Sequence, residues 1–542
     1  MKKHHLQIVA IVAFAVALAQ AQARVLPEAV RATADRITAE QLKRDLDFLA
    51  SDELLGRNTP SPGFDKAADY VVSRLTKAGL KPLGDEGTFY QRYEMHDSQI
   101  DAAAASFEIG GKRLVLGSDF AVRSFAAPIS GTFPVVYVGH GWVIPAKGID
   151  PYADLDVKGK IVLAHGPRAL PKDVDIPQLG RITVGATNVV AEAARRGAAG
   201  VVFIPQGVSD EEWTAMRGQV AGRRELVPPV PSVYSAAPST ALLLSRATVE
   251  ALLAGERIDG AELIARGKDA NYPASFELSK RVTLTLPAQT TIHRPYNVVA
   301  LIEGSDPVLK NEYITIESHL DGAVGTREVG GDPVYNSADD NASGSAANLS
   351  IAEQMMAGPR PKRSLIFIWD SGEEQGLWGT RHFVGNSPVP LDRIVAHFNI
   401  DMIGANRAPG SPDSGEARVT GPNEVLLIGP RVLSASADAL LERVNAEYLK
   451  LVLDRSWDSA DKEFFYPRTD AGPFLERGIL TIGFTTGIHD RYHLPADEAR
   501  ALDPKKMEGI ARTVFASVWA LADTPERPRI DKPIPPTVLR YK

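Results

Sequence analysis

Five side chains in the C-terminal half, His319, Asp340, Glu374, Asp401 and His493, are of the types that hold metal ions. Each stands where a strand pattern ends or in the loop that follows. His319 closes YITIESHLDG, Asp340 lies in SADDNASG, Glu374 in SLIFIWDSGEEQGLWG, Asp401 in VAHFNIDMIG and His493 in DRYHLPADE. Two imidazoles and three carboxylates suit zinc, which accepts nitrogen and oxygen donors together. Five ligands exceed what one tetrahedral ion takes while it keeps a water. They fit two ions that share a carboxylate and leave positions open to a substrate. A lone acid in an apolar run such as NIDMIG is costly to bury unless it is paired or metal-bound. Asp321, two residues after His319, is placed to accept the second ring N–H of a metal-bound histidine, which would fix the ring and raise its basicity.

Such residues need a scaffold that brings distant segments together. From Tyr296 onward, NVVALIEG, EYITIESH, SLIFIWDS and IVAHFNIDM are apolar runs of strand length, and ASGSAANLSIAEQMMA and LWGTRHFVGN between them read as helical. The alternation predicts an α/β fold with a mixed, largely parallel sheet sandwiched by helices. Loops at the C-terminal ends of such strands converge on one crevice, where the five ligands would meet. A last helix is expected over Pro504 to Leu521, and the Pro-rich tail 526–542 follows.

Nearer the N-terminus, Thr38 can cap the run AEQLKRDLDFLA, with Glu40 and Gln41 in its first turn. SDELLGRNTPSPG reads as a loop, and a second amphipathic helix starts at Asp65 and stops at Gly79. Arg57 in the loop is read as a structural arginine bonding loop carbonyls, with a substrate contact as the other reading. Phe107 to about Leu286 has a different texture, in which short β-branched runs (GTFPVVYVGHGW, KGKIVLAHG, AGVVFIP, VPSVYS) alternate with Gly and Pro. One helix, Asn188 to Arg196, stands out there. His140 and His165 have no ligand partner at suitable spacing and read as structural.

The chain has 542 residues, which implies more than one domain. Hydrophobic residues make up 44% and charged residues 23%, enough to form large cores. A net charge of -7, with both signs interspersed and no basic block, argues against a nucleic-acid partner. The absence of cysteine excludes disulfides, thiol catalysis and a lipid anchor on cysteine. Lys2 and Lys3, the apolar run Leu6 to Ala19 and small residues at Ala19, Ala21 and Ala23 read as a cleaved signal peptide over residues 1–23. The mature protein is thus expected to be periplasmic or secreted, with no membrane association after cleavage.

SHLDG, SADDNASG, EEQGLWG, NIDMIG and YHLPAD, in that order, resemble the motifs of the M28 family of zinc aminopeptidases and carboxypeptidases. Any one motif is weak; five in order are specific. The resemblance also covers LASDELLGR and AGLKPLGD, and runs from about Ile37 to the C-terminal helix. It implies the zinc exopeptidase fold over residues 30–110 and 288–525, and a β-rich protease-associated domain, without chemistry of its own, inserted at 111–287. It implies two Zn2+ per chain, one held by Asp340, Glu374 and His493 and the other by His319, Asp340 and Asp401. Asp340, rather than the adjacent Asp339, is the bridging acid of the motif. Glu373 matches the family's general base, which must lie near the attacking water without ligating metal. On its own, the Glu373–Glu374 pair would read as solvated acids at a helix start. Tyr492 matches a tyrosine that bonds the oxyanion in some relatives; its other reading is a ring packed on the pocket wall. Leu494 stands where the family usually has Thr. Asn341-Ala342-Ser343 matches a glycosylation sequon, a poor reading if it is buried beside metals. His489 is expected near the site without ligating, His382 and His397 to be structural, and Asp470 in RTDAGPF to line the pocket or merely to hold a turn.

The expected activity is aminopeptidase action on peptides, the substrate amine approaching a metal or a carboxylate such as Asp339. A carboxypeptidase or dipeptidase would need a cation for the substrate carboxylate, for which Arg468 and Arg491 are candidates. A receptor-like relative would have lost ligands, whereas all five are kept. A cyclase or aminoacyl-transfer enzyme on the same fold usually uses one zinc. Side-chain preference and oligomeric state are not legible in the sequence.

Overall fold

The protein is represented by a computed structural model that describes residues 25–166, 169–174, 186–206, 213–214, 222–228, 239–322, 325, 328–410, 418–459 and 468–534. The signal-like segment 1–23, the run VPSVYS and the end of the Pro-rich tail lie outside the described residues. The chain divides into two compact units, one formed by the residues up to Tyr93 and from Arg294 on, the other by Glu94–His293.

In the first unit, helices α1 (Glu28–Ala34), α2 (Ala39–Leu49) and α3 (Pro62–Ala78) precede the main sheet. Thr38 caps α2 through its Oγ1, which accepts the Gln41 N–H, and Leu42, Leu46 and Leu49 form the buried stripe. The start of α3 lies earlier than the sequence reading placed it. Ser61 caps it by accepting the Phe64 N–H, and Pro62 sits in the first turn, where its missing N–H is harmless. Gly79 ends the helix in the left-handed conformation, with φ 84°.

The sheet contains β1 (Lys81–Pro82), β2 (Tyr90–Arg92), β3 (Tyr296–Ile302), β4 (Tyr313–His319), β5 (Ser364–Asp370), β6 (Ile394–Ile400), β7 (Glu424–Ile428), β8 (Val452–Asp454) and β9 (Leu480–Thr485). Their order is β1-β3-β5-β4-β6-β9-β7-β8, with β2 also on β3. The central strands β5, β4, β6 and β9 are parallel throughout. The margins are mixed: β3 joins β5 antiparallel and β7 joins β9 antiparallel, while β7 and β8 pair parallel. β4, β5 and β6 are buried at every residue except Tyr313, which is why they read as continuous apolar runs.

Helices α4 (Gly344–Ala357), α5 (Trp378–Gly385), α6 (Ala435–Glu447), α7 (Ala471–Glu476) and α8 (Pro504–Asp523) complete the unit. α4 is buried from Gly344 to Ala352 and consists largely of small residues. At Gly344 a Cβ would come within 2.3 Å of the Ile400 carbonyl oxygen, so only glycine lets α4 start this close to the end of β6. One core joins α1–α4 and α8 to the sheet, including Leu46, Val71, Ile316, Phe398, Val514 and Phe515. Among the described residues no helix is long and apolar enough to cross a membrane.

The second unit has its own cores and an eight-stranded sheet in which Ile129–Tyr137, Ile161–His165, Gly200–Ile204 and Ala241–Leu244 run parallel. The helix Val189–Arg195, capped by Asn188, lies between two of these strands in sequence. In this unit Glu94–Ile100 pairs with both Gly222–Val227 and Ala288–His293 in a three-stranded sheet. His165 bonds the Tyr137 hydroxyl at 3.0 Å, and the His140 ring accepts the Trp142 N–H, both structural contacts.

Candidate active site

β4, β5 and β6 end side by side, with His319 in register with Asp370 and Glu317 with Asn399. The end of β4, the loops after β5 and β6, the turn before α4 and the segment after β9 carry all five candidate ligands. His319 Nε2 lies 3.2 Å from Asp340 Oδ1 and 3.5 Å from Asp401 Oδ1. His493 Nε2 lies 3.0 Å from Asp340 Oδ2 and 3.0 Å from Glu374 Oε2. Asp340 thus turns one oxygen to each triplet. In each triplet the donor atoms lie within 4.8 Å of one another.

A cation fits this arrangement. His319 Nε2, Asp401 Oδ1 and Glu374 Oε1 are buried and have no hydrogen-bond partner, a condition that a metal ligand relieves. The mixed nitrogen and oxygen donors suit zinc. Without a metal, burial disfavours charge on His493, but Asp340 and Glu374 override it and raise the ring to about 10. His319 is raised for the same reason by Glu373, Asp340 and Asp401 against its burial.

The loop bearing Asp340 is held from behind. Asp497 accepts the backbone N–H groups of Asp339 and Asp340 at 3.0 to 3.1 Å. Asp339 is itself committed. Its Oδ1 accepts the Gly404 N–H at 2.7 Å and its Oδ2 faces His489 Nε2 at 3.3 Å. His489 Nε2 lies beside the loop, 3.3 Å from Asp339 Oδ2 and 3.7 Å from Asp497 Oδ1. Asn341 is fully buried, donates to the Ile400 carbonyl and accepts from Gly344 and Met402, which excludes a glycan there.

Asp321 plays a different part from the one its spacing suggested. His319 Nδ1 meets the main-chain carbonyl of Asp321 at 3.0 Å, while the carboxylate lies 4.0 Å away. The carboxylate Oδ1 instead accepts the Glu373 N–H at 3.2 Å. Glu373 lines the cavity beside Asp340 and Asp401. Burial raises its carboxyl well above the usual range, reinforced by Asp470, Glu374 and Asp401 against the pull of His319. The acidic pair is not at a helix start, since α5 begins only at Trp378.

The Tyr492 ring stacks on His493 with centroids 3.7 Å apart and also lines the cavity. Burial, with Asp340, Glu374 and Glu373 nearby, raises its hydroxyl, so it stays protonated and able to donate. The rest of the cavity wall is largely apolar, with Met402, Ile428, Trp457, Phe484 and Ile488, and Arg468 stands among them. Arg491 pairs with Asp490 at the surface and is not part of the wall.

Arg57 is fully buried and donates to the carbonyls of Leu49, Leu320, Asn336 and Ser337, as the structural reading expects. His397 stacks on Phe474 in the core, and Asp470 is buried against Thr380 rather than exposed at a turn. The sequence reading missed Glu317 and Asp370, buried acids that gather with Asp470. The signal was present, since both interrupt apolar strand runs as Asp401 does.

Residues 297–518 match the description Peptidase family M28. An aminopeptidase of Pseudomonas aeruginosa is 25% identical over 437 residues, covering 80% of this chain and 67% of the relative. A probable zinc metalloprotease of Pyrenophora tritici-repentis is 24% identical over 219 residues, covering 35% of this chain and 49% of the relative. The solved aminopeptidase from Aneurinibacillus sp. strain AM-1 shares the fold, with a TM-score of 0.52 and 19% identity over 93% of this chain and 98% of that one. By this match and the ordered motifs at its strand ends, residues 297–518 are similar to peptidase family M28.

Proposed function

We propose that the chain is an exported aminopeptidase with two zinc ions, which hydrolyses N-terminal peptide bonds with Glu373 as general base. The observation that carries this reading is Asp340, whose two oxygens face the imidazoles of two separate ligand triplets. His319, Asp340 and Asp401 would hold one ion, and Asp340, Glu374 and His493 the other. When bound, zinc lowers the pKa of water and polarises the scissile carbonyl. Glu373 accepts the proton of the attacking water and delivers it to the leaving amine. Asp321 fixes the base through its backbone N–H. Tyr492 donates its hydroxyl to the developing oxyanion. The α-amine of the substrate would approach a metal, and its first side chain enters the apolar part of the cavity.

Export rests on the Lys2–Lys3 and apolar-run pattern. The second unit is read as a protease-associated domain from its order of strand, strand, helix and strand. A carboxypeptidase or dipeptidase is the second reading, supported by Arg468 in the cavity wall, which could hold a substrate carboxylate. The test is a panel of aminoacyl-anilides, N-blocked peptides and C-blocked peptides with the zinc-loaded protein. Cleavage confined to substrates with a free amine supports the aminopeptidase. Cleavage of N-blocked peptides with a free carboxylate moves the assignment to the second reading.

A further inference from the structure

We propose that Asn399, Thr481 and Gly483 form the far end of the subsite for the substrate's first side chain and select one that ends in a hydroxyl, so that an N-terminal tyrosine is preferred to phenylalanine. The inference rests on the aminopeptidase reading for where that side chain enters. β6 and β9 run parallel side by side, with Asn399 in register with Gly483 and His397 with Thr481. Side chains alternate between the faces of a strand, so Thr481, Gly483 and Thr485 share one face, and all three line the cavity. The cavity therefore runs back along the sheet from Asp401 and Met402 towards the start of β9. At about 3.3 Å of rise per residue, Thr481 lies roughly 13 Å from Thr485 along the strand.

A glycine inside a strand weakens it, and is kept where the backbone or a close-lying ligand needs the space. At Gly483 the backbone does not need it. The residue is not in the left-handed region, and a Cβ there would meet Ile428 Cβ at 3.7 Å and Asn399 Oδ1 at 3.9 Å, both ordinary contacts. What the missing side chain provides is room in the cavity wall between Ile428 and Asn399. Polar atoms border that room. Asn399 Nδ2 donates to Glu317 Oε2 at 2.9 Å, which fixes the amide and leaves Oδ1, an acceptor, on the Gly483 side. Thr481 is 1% exposed, and its hydroxyl is buried without a hydrogen-bond partner. A group reaching these two atoms must donate to Asn399 Oδ1 and can accept from Thr481 Oγ1. A phenol hydroxyl does both, whereas the edge of a phenyl ring does neither. Met402, Ile428 and Trp457 supply the apolar wall for the ring itself. A site built to bond a substrate hydroxyl rejects the analogue lacking it, because its own polar atoms are then left unpaired.

The test compares kcat/KM of the zinc-loaded protein for the nitroanilides of tyrosine, phenylalanine and alanine. Tyrosine should exceed phenylalanine about 10- to 100-fold. Thr481→Val keeps the shape and removes the hydroxyl, and should bring the two within about threefold of each other. Gly483→Val fills the room and should lower the tyrosine-to-alanine ratio about tenfold or more. A tyrosine-to-phenylalanine ratio near one in the unaltered protein, as a single water joining the polar atoms would give, overturns the proposal. So does a ratio that Thr481→Val leaves unchanged. If a variant does not fold, the ratio in the unaltered protein decides alone. Calorimetry with free L-tyrosine and L-phenylalanine separates this failure from that of the aminopeptidase reading. If no anilide is cleaved, tighter binding of tyrosine that Thr481→Val weakens sustains the subsite while the aminopeptidase reading falls. Equal or absent binding of the two amino acids then overturns both.

Discussion

Replacing Arg57 by Met should unfold the first unit far more readily and leave substrate binding as a secondary casualty. The guanidinium is fully buried and donates to four main-chain carbonyls from three separate segments. Leu320 lies beside His319, and Asn336 and Ser337 lead into Asp340, so these bonds tie the candidate-site loops to α2. Burial lowers Arg57 to about 10, but Asp321, Asp497, Asp340 and Glu374 hold it up and it is charged at neutral pH. A hydrogen bond to a charged group is worth about 1.5–3 kcal/mol net, so four amount to roughly 6–12 kcal/mol before relaxation. Water entering the truncated site recovers part of this, and the expected loss is about 3–5 kcal/mol, the range for removing one partner of a buried charged cluster. Arg57→Lys keeps the charge but not the fork, and should lose about half as much. Urea denaturation of the two variants, zinc-loaded and chelated, measures both. A loss under about 1 kcal/mol for Arg57→Met, with KM raised instead, would refute the structural role and restore the substrate-contact reading.

Three further outcomes follow from the site. In the metal-free protein His493 is held to about 10 and His319 is also raised, so both are protonated at neutral pH and must lose those protons to bind zinc. The raised His493 stabilises the metal-free fold fully below its unfolded value near 6.5 and loses that effect as pH rises through about 10, whereas zinc affinity climbs with pH over the same window. Calorimetry in buffers of different ionisation enthalpy should show about two protons released at pH 7, and a value near zero would count against the assignment. Asp497→Ala removes the acceptor of the Asp339 and Asp340 N–H groups and should weaken zinc about 10- to 100-fold in a chelator competition; unchanged affinity would deny it that role. Asp321→Ala should lower kcat at least tenfold or about that with zinc retained, while Asp321→Asn, which can still accept the Glu373 N–H, should recover most of it; equal damage would point to charge rather than to the bond.

The centre of this fold was legible because buried parallel strands leave unbroken apolar runs, and β4, β5 and β6 are such runs. Helix ends were legible where their chemistry is local, as at Thr38, Gly79 and Pro504. The start of α3 was misplaced because the Ser61 cap and Pro62 sit inside a stretch that also reads as loop. The sheet margins were not legible, since antiparallel pairing of β3 and β7 is decided by distant partners. The five residues that gather at the strand ends could be read from motifs, but the direction of a side chain could not. Asp321 was placed correctly near His319 and given the wrong bond, because only the folded loop shows that the carbonyl, not the carboxylate, meets the ring. Glu317 and Asp370 escaped although the rule applied to Asp401, that a lone acid in an apolar strand needs a partner, applies equally to them.

The central claim is that Glu373 moves the proton while its neighbours hold the metals. The most direct test is kcat of Glu373→Ala on a free-amine aminoacyl-anilide, with zinc content and folding verified. A fall of about 10²- to 10⁴-fold at unchanged zinc content and near-constant KM is the predicted result. A variant that keeps its zinc and works within about tenfold of the unaltered protein would contradict the account and require another base.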